Sequence, residues 1–104
     1  MTKLGLLVRL KAKPGKEKLV AEFLSGAIGA VQAEEFTPVW FGLAGASGTF
    51  YIFDAFDDEG GREQHLAGQV AGALMQQAPE LLSEPPHIEK VDVLTSKILK
   101  GAVT

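Results

Sequence analysis

Asp54 and His65 are the two titratable residues whose type and position could carry chemistry. Asp54 lies within an aromatic run, where an ionised carboxylate is costly unless it is paired. His65 lies in a later stretch with helical spacing, and an imidazole titrates near neutral pH. Together they could act as a general base that removes the proton of a phenolic hydroxyl. The structural alternatives are that Asp54 pairs with Arg9 or Arg62 and that His65 is a satisfied residue at the edge of the core.

Aromatic side chains near this pair could hold a flat substrate. Trp40 is the only tryptophan of the chain and could form a wall that stacks on an aromatic ring. Tyr51, Phe53 and Arg62 are the further candidates for substrate binding. The structural alternative, packing in the core or at an interface, is the more common role of an aromatic residue on a strand.

Composition and charge exclude several other kinds of site. The absence of cysteine rules out disulfides, thiolate metal sites and cysteine nucleophiles, and it fits a reducing cytoplasm. His65 and His87 lack partner ligands at metal spacing, so a metal site is not expected. The net charge of −3 argues against a nucleic-acid-binding domain, and no apolar run approaches the length of about 20 residues that spans a bilayer. We expect a cytoplasmic protein with no nucleic-acid or membrane partner.

The hydrophobic periodicity places these residues on a sheet covered by helices. Apolar residues alternate in four stretches that predict strands: 4–12, 36–44, 49–56 and 87–99. Steps of three and four predict helices at 16–35 and 61–77, the second ended or bent by Pro79. The order βαββαβ with a central hairpin predicts a ferredoxin-like α+β fold with a four-stranded antiparallel sheet. We expect one domain over residues 1–104.

The predicted sheet carries more apolar surface than two helices can cover. Its third strand has Phe50, Ile52 and Phe56 on one face, and Tyr51 and Phe53 on the other. A sheet that is apolar on both faces needs a second cover, and the simplest cover is the sheet of a second copy. We therefore expect a homodimer; the alternative is a monomer with an enlarged pocket under its loops. The face toward the chain's own helices is expected to meet four apolar side chains: Leu19, Phe23, Leu66 and Val70.

Motifs along most of the chain resemble those of a known family. They are a Pro-Gly-Lys-Glu helix start at 14–17, a Thr-x-x-Trp strand at 37–40, a strand ending Phe-Asp-Ala-Phe-Asp at 53–57, and Arg-Glu-Gln-His-Leu at 62–66. This pattern, from about residue 4 to residue 97, is similar to the antibiotic biosynthesis monooxygenase-like proteins, which include quinol monooxygenases. The resemblance implies a dimeric α+β barrel, in which two sheets meet face to face with the helices outside.

The resemblance also implies a reaction, with two departures. Some members of that family oxidise quinols or polycyclic phenols with molecular oxygen and without a metal or bound cofactor, whereas others degrade haem. Here Asp54-Ala55-Phe56 stands where the oxygenases often carry acid-x-Trp, and the chain lacks the asparagine that haem-degrading members use. The first hypothesis is a cofactor-independent monooxygenase acting on a quinol or polycyclic phenol, with His65 and Asp54 as catalytic residues. The alternative is a non-catalytic dimeric binding module for a small apolar or aromatic metabolite.

Overall fold

A computed structural model of the protein describes residues 2–99, and its strands form one antiparallel sheet. The elements in chain order are β1 (Leu4–Lys11), α1 (Glu17–Gly26), α2 (Ile28–Gln32), β2 (Val39–Ala44), β3 (Thr49–Phe56), α3 (Glu59–Leu66), α4 (Gln69–Leu81) and β4 (His87–Asp92). The strand order is β2-β3-β1-β4, so β1 and β3 are central. This arrangement confirms the predicted ferredoxin-like α+β fold.

Several predicted boundaries were wrong, for identifiable reasons. Each long helical stretch is divided: the first at Ala27 and the second between Leu66 and Gln69. Helix α4 continues past Pro79 to Leu81, because a proline in the last turn removes little of the helical hydrogen bonding. Strand β4 ends at Asp92, which pairs with Leu4, the first residue of β1. The residues after Asp92 therefore have no residue of β1 to pair with.

The buried core lies between the sheet and its helices. Alternate residues of β1 and β3 point toward the helices and are buried: Leu6, Val8, Leu10, Phe50, Ile52, Asp54 and Phe56. From α1 it is Val20 and Leu24, one helical turn apart, that cover this face. Leu19 is 44% exposed, which corrects the expectation that it meets the sheet, because the Val20–Leu24 side of the helix is turned inward.

The opposite face of the sheet is apolar and open in the single chain. It is formed on β1, β2 and β3 by residues that pair across the strands: Leu7, Phe41, Leu43, Tyr51 and Phe53. Phe41, Leu43 and Leu7 are 48%, 45% and 41% exposed. We call this surface the open sheet face. No helix within residues 2–99 has the length and apolar content needed to cross a lipid bilayer.

Candidate functional site

Strand β3 and helix α3 bring Asp54 and His65 together on the helix side of the sheet. The Nε2 atom of His65 lies 3.0 Å from Oδ2 of Asp54, an ion-pair distance. Both residues are deeply buried, with 1% of Asp54 and 5% of His65 exposed. The imidazole also rests against Phe56, with ring centroids 5.5 Å apart. The structure thus places side by side the two residues predicted as catalytic.

Helix α3 carries His65, and contacts at Asp58 and Gly61 fix the position of this helix. Its N-cap residue, Asp58, accepts a hydrogen bond of 2.8 Å from the backbone N–H of Gly61. A Cβ atom at Gly61 would lie 2.9 Å from the carbonyl oxygen of Phe36, closer than such atoms approach. Glycine at this position therefore lets α3 pack against the loop that leads into β2.

The other nitrogen of His65 contacts Glu34, a residue that was not predicted from the sequence. Nδ1 lies 2.7 Å from Oε1 of Glu34. The hydroxyl of Thr37 donates to the same oxygen at 2.8 Å and lies 3.3 Å from Nδ1. The backbone N–H of Thr37 donates to the carbonyl of Glu34 at 3.1 Å, which fixes both residues in one turn. The sequence signal for this turn was an acid and a hydroxyl spaced three residues apart, just before a strand.

We call Asp54, His65 and Glu34 the carboxylate–imidazole chain. Burial alone would lower the pKa of His65, but the contacts with Asp54 and Glu34 outweigh it and raise that pKa above its usual 6.5. Burial raises the pKa of Asp54 above its usual 3.8, and the neighbouring imidazole offsets this only in part. The two carboxylates on either side of His65 therefore favour the protonated form of its imidazole. The two carboxylates lie on opposite nitrogens, so they do not converge on a point where a metal ion could bind.

A small cavity lies beside Asp54, His65 and Trp40. Its volume is about 30 Å³, and its other walls are apolar side chains such as Ile52 and Leu74. Within residues 2–99, neither carboxylate oxygen of Asp54 nor Nε1 of Trp40 takes part in a well-aligned hydrogen bond. A space of this size suits a water molecule, which needs roughly 10–15 Å³. It is far below the roughly 300 Å³ of a small-molecule pocket.

A larger cleft is bordered by α2, β2 and residues 97–98, with a volume of about 630 Å³. We call it the α2–β2 cleft. Its apolar lining includes Val31, Trp40 and Phe41, and its polar lining includes Glu34, Thr37 and Lys97. Glu34 is thus the member of the carboxylate–imidazole chain that also borders the cleft. Trp40 borders both the cleft and the small cavity.

Two of the predicted substrate-binding residues lie away from this site. Tyr51 and Phe53 alternate with Asp54 along β3, and successive side chains of a strand point to opposite faces. Both therefore belong to the open sheet face. Trp40, by contrast, pairs with Asp54 in the strand register and shares its face.

The hydrogen-bond partners of Arg62 are residues other than His65 and Asp54. Its guanidinium donates to both carboxylate oxygens of Glu59, at 2.9 and 3.0 Å, and to the carbonyl oxygen of Gly5 at 3.3 Å. These bonds tie α3 to β1. Arg9 lies on the other side of β1 and contacts Glu84 at 3.9 Å. The pairing of Asp54 with Arg9 or Arg62 was therefore wrong, because its partner is His65.

Comparison with known proteins finds solved structures that share this fold, and one of them is also similar in sequence. No family model matches the chain, and no curated protein matches it. Among solved structures, Rv0793 from Mycobacterium tuberculosis is 17% identical, with a TM-score of 0.80 over 90% of this chain and 97% of that one. A protein described as an antibiotic biosynthesis monooxygenase is 13% identical, with a TM-score of 0.76 over 88% of this chain and 99% of that one. At these identities the likeness shows a shared fold.

A third solved structure is much more similar in sequence. The NE2512 protein of Nitrosomonas europaea, described as of unknown function, is 54% identical to this chain, with a TM-score of 0.92. The match covers 95% of this chain and 96% of that one. The protein therefore has the fold of the antibiotic biosynthesis monooxygenases, and it belongs to the same family as the NE2512 protein of Nitrosomonas europaea.

Proposed function

We propose that the protein is a cofactor-independent monooxygenase that oxidises a quinol or polycyclic phenol with molecular oxygen. The observation that carries the proposal is the carboxylate–imidazole chain, which lies almost fully buried on the helix side of the sheet. A phenolate gives up an electron to oxygen more readily than the neutral phenol does, so the protein must first accept a proton. The carboxylates of the carboxylate–imidazole chain are the groups that can accept that proton.

The reaction balances without an external reductant. For a phenol with a free ring position, one atom of oxygen enters the ring to give a quinone, and the other leaves as water. The substrate supplies all four electrons that dioxygen takes up in these two steps. The two hydrogens of the water come from the hydroxyl and from the ring carbon that is oxidised. The protein's contribution is to bind the ring and to hold the hydroxyl proton.

We also propose that the protein is a homodimer whose open sheet faces meet. Contiguous exposed apolar patches on a soluble domain mark interaction sites. The open sheet face carries three large side chains that are between two-fifths and half exposed in the single chain: Leu7, Phe41 and Leu43. A two-fold axis would bury each copy of this face against the other. Light scattering at micromolar concentration that gave the mass of one chain would contradict the dimer.

A second candidate is a non-catalytic dimeric module that binds a small aromatic metabolite. The observation that favours it is the size of the cavity beside Asp54 and His65, about 30 Å³, which leaves no room there for a substrate ring. In that case the ionic chain would serve packing alone, and ligands would bind elsewhere without reacting.

Oxygen uptake in the presence of a reduced naphthoquinol separates the two candidates. The monooxygenase should consume oxygen faster than autoxidation, and His65→Ala should abolish the excess rate. His87→Ala is the matched control, because His87 is the other histidine of the chain and is exposed at the start of β4. A rate equal to autoxidation, with the naphthoquinol bound in calorimetry, would support the binding module instead.

A further inference from the structure

We infer that the α2–β2 cleft is a binding site for a planar phenol, and that Glu34 is the residue that receives the substrate's hydroxyl. His65 and Asp54 then act behind Glu34 as positioning residues. The proton-transfer step rests on the proposed function, whereas the binding site does not depend on it.

The size and lining of the cleft suit an aromatic ring system. Its volume of about 630 Å³ lies within the usual range for small-molecule sites, roughly 300–1,000 Å³. The indole of Trp40 offers a flat apolar surface, and Val31 adds an aliphatic wall. The small cavity beside Asp54 has none of this room. Of these two spaces beside the carboxylate–imidazole chain, the one on the Glu34 side is therefore the one with room for a planar compound of two or three rings.

Glu34 is built to accept a hydrogen bond from such a ligand. Its side chain is 9% exposed and borders the cleft. The Thr37 hydroxyl and His65 Nδ1 both contact the single oxygen Oε1 and hold it in place, while Oε2 lies close to Gly68, between α3 and α4. An ionised carboxylate has about four acceptor sites, so these two contacts leave it able to accept a substrate hydroxyl.

His65 cannot make this contact itself. Both of its nitrogens face carboxylates, and its side chain is not part of the cleft lining. Neither nitrogen is therefore free to take a proton from a ligand in the cleft. Its part is to hold Glu34 in position, and Asp54 in turn holds the imidazole from the other side.

The transfer step balances at Glu34. The O–H bond of the hydroxyl breaks, its proton bonds to a carboxylate oxygen of Glu34, and the electron pair stays on the phenolate oxygen. Lys97 borders the same cleft and provides positive charge for the developing phenolate. Once oxygen has been reduced, the proton on Glu34 leaves in the water that is formed, which restores the carboxylate.

The binding site can be tested on the unaltered protein under anaerobic conditions, with 1-naphthol as the probe. Trp40 is the only tryptophan, so its indole N–H gives a single side-chain NMR signal of that kind. Saturable displacement of this signal by 1-naphthol supports the site. Saturation that leaves the Trp40 signal in place, or that instead shifts residues of the groove between α1 and α4 such as Ala27 and Ala73, overturns it.

The role of Glu34 is tested by Glu34→Gln, with Glu35→Gln as the matched control on the exposed neighbouring residue. Loss of a general base lowers kcat by roughly 100-fold or more, and we expect this for Glu34→Gln with little change in KM. The rate of Glu34→Gln should then recover as the pH approaches about 10, where a phenol ionises in solution. Glu34→Asp should restore part of the rate at neutral pH.

Failure of the inference and failure of the proposed function give different results. If the unaltered protein consumes oxygen and Glu34→Gln is as fast, the role of Glu34 is overturned while the monooxygenase stands. If the unaltered protein consumes no oxygen but 1-naphthol shifts Trp40, and binds more weakly to Glu34→Gln than to Glu35→Gln, the phenol site stands and the monooxygenase is overturned.

Discussion

Replacing His65 with glutamine should destabilise the protein strongly at neutral pH and hardly at all in acid. Glutamine is neutral, so the substitution removes the positive charge between Asp54 and Glu34. Asp54 is 1% exposed and the side chain of Glu34 is 9% exposed. Two buried carboxylates without their cation cannot both remain ionised, and the folded variant must keep one of them protonated.

The ordinary pKa of an aspartate sets the size of this effect. Holding Asp54 protonated at about pH 7, against the usual aspartate pKa of 3.8, costs about 4 kcal/mol of unfolding free energy. Breaking a buried ion pair from one side costs a similar amount, roughly 3–5 kcal/mol. The unfolded chain binds no such proton above pH 3.8, so the cost should shrink by about 1.4 kcal/mol for each unit that the pH falls and vanish near pH 4.

The unaltered protein should show a different dependence at higher pH. Because the pKa of His65 is raised above 6.5 in the folded state, its stabilising contribution is complete below 6.5 and is lost as the pH rises through the folded value. The difference between the two proteins should therefore begin to grow where the unaltered protein ionises Asp54, at a pH above 3.8, and should level off from about pH 6.5.

Urea unfolding followed by Trp40 fluorescence measures this difference, at one protein concentration and a series of pH values. His87→Gln is the control and should track the unaltered protein throughout, because His87 is exposed. A loss of less than about 1 kcal/mol at neutral pH, or one that does not change with pH, would show that the imidazole is not the counter-charge of the buried carboxylates.

Three further results are expected. Asp54→Asn should lower the pKa at which His65 titrates in NMR, since it removes one of the carboxylates that raise it; an unchanged titration would contradict the contact. Phe41→Asp should give monomers in light scattering, whereas Leu19→Asp, similarly exposed but on α1, should leave the dimer intact; equal behaviour would place the interface elsewhere. Leu10→Ala, fully buried, should cost about 2–5 kcal/mol in urea unfolding, and Leu19→Ala less than about 1 kcal/mol. Equal losses would contradict the orientation of α1.

The sheet could be predicted from sequence because its signal is local. Strand β3 was predicted at 49–56 and is observed at Thr49–Phe56, since alternation of side chains is a direct consequence of strand geometry. The same alternation placed Asp54 on the buried face and Tyr51 and Phe53 on the other. The breaks inside the helical stretches were not predicted, because Ala27 and Ala67 are good helix formers and tertiary packing decides where the chain turns.

The candidate site was predicted only in part, for a similar reason. A carboxylate among aromatic residues needs a partner, and that argument led to Arg9 or Arg62; His65 was placed beside Asp54 by the hypothesis of a general base. Glu34 was hidden because it lay at the polar end of a predicted helix, where an exposed acid is ordinary. In the structure α2 ends at Gln32, and the turn that follows brings Glu34 back onto α3. The hydrophobic periodicity of the sequence carries no information about this contact between Glu34 and α3.

The energetics of the carboxylate–imidazole chain argue for a use beyond packing. A buried ion pair adds little net stability, since apolar residues of similar volume often stabilise a core as well or better. The two carboxylates also differ in their surroundings: Asp54 borders a cavity with room for little more than a water molecule, whereas Glu34 borders the α2–β2 cleft. If the carboxylate–imidazole chain takes a proton from a bound ligand, one of its ends must be open to that ligand and the other closed. Glu34, which borders the α2–β2 cleft, is the open end, and Asp54 is the closed end.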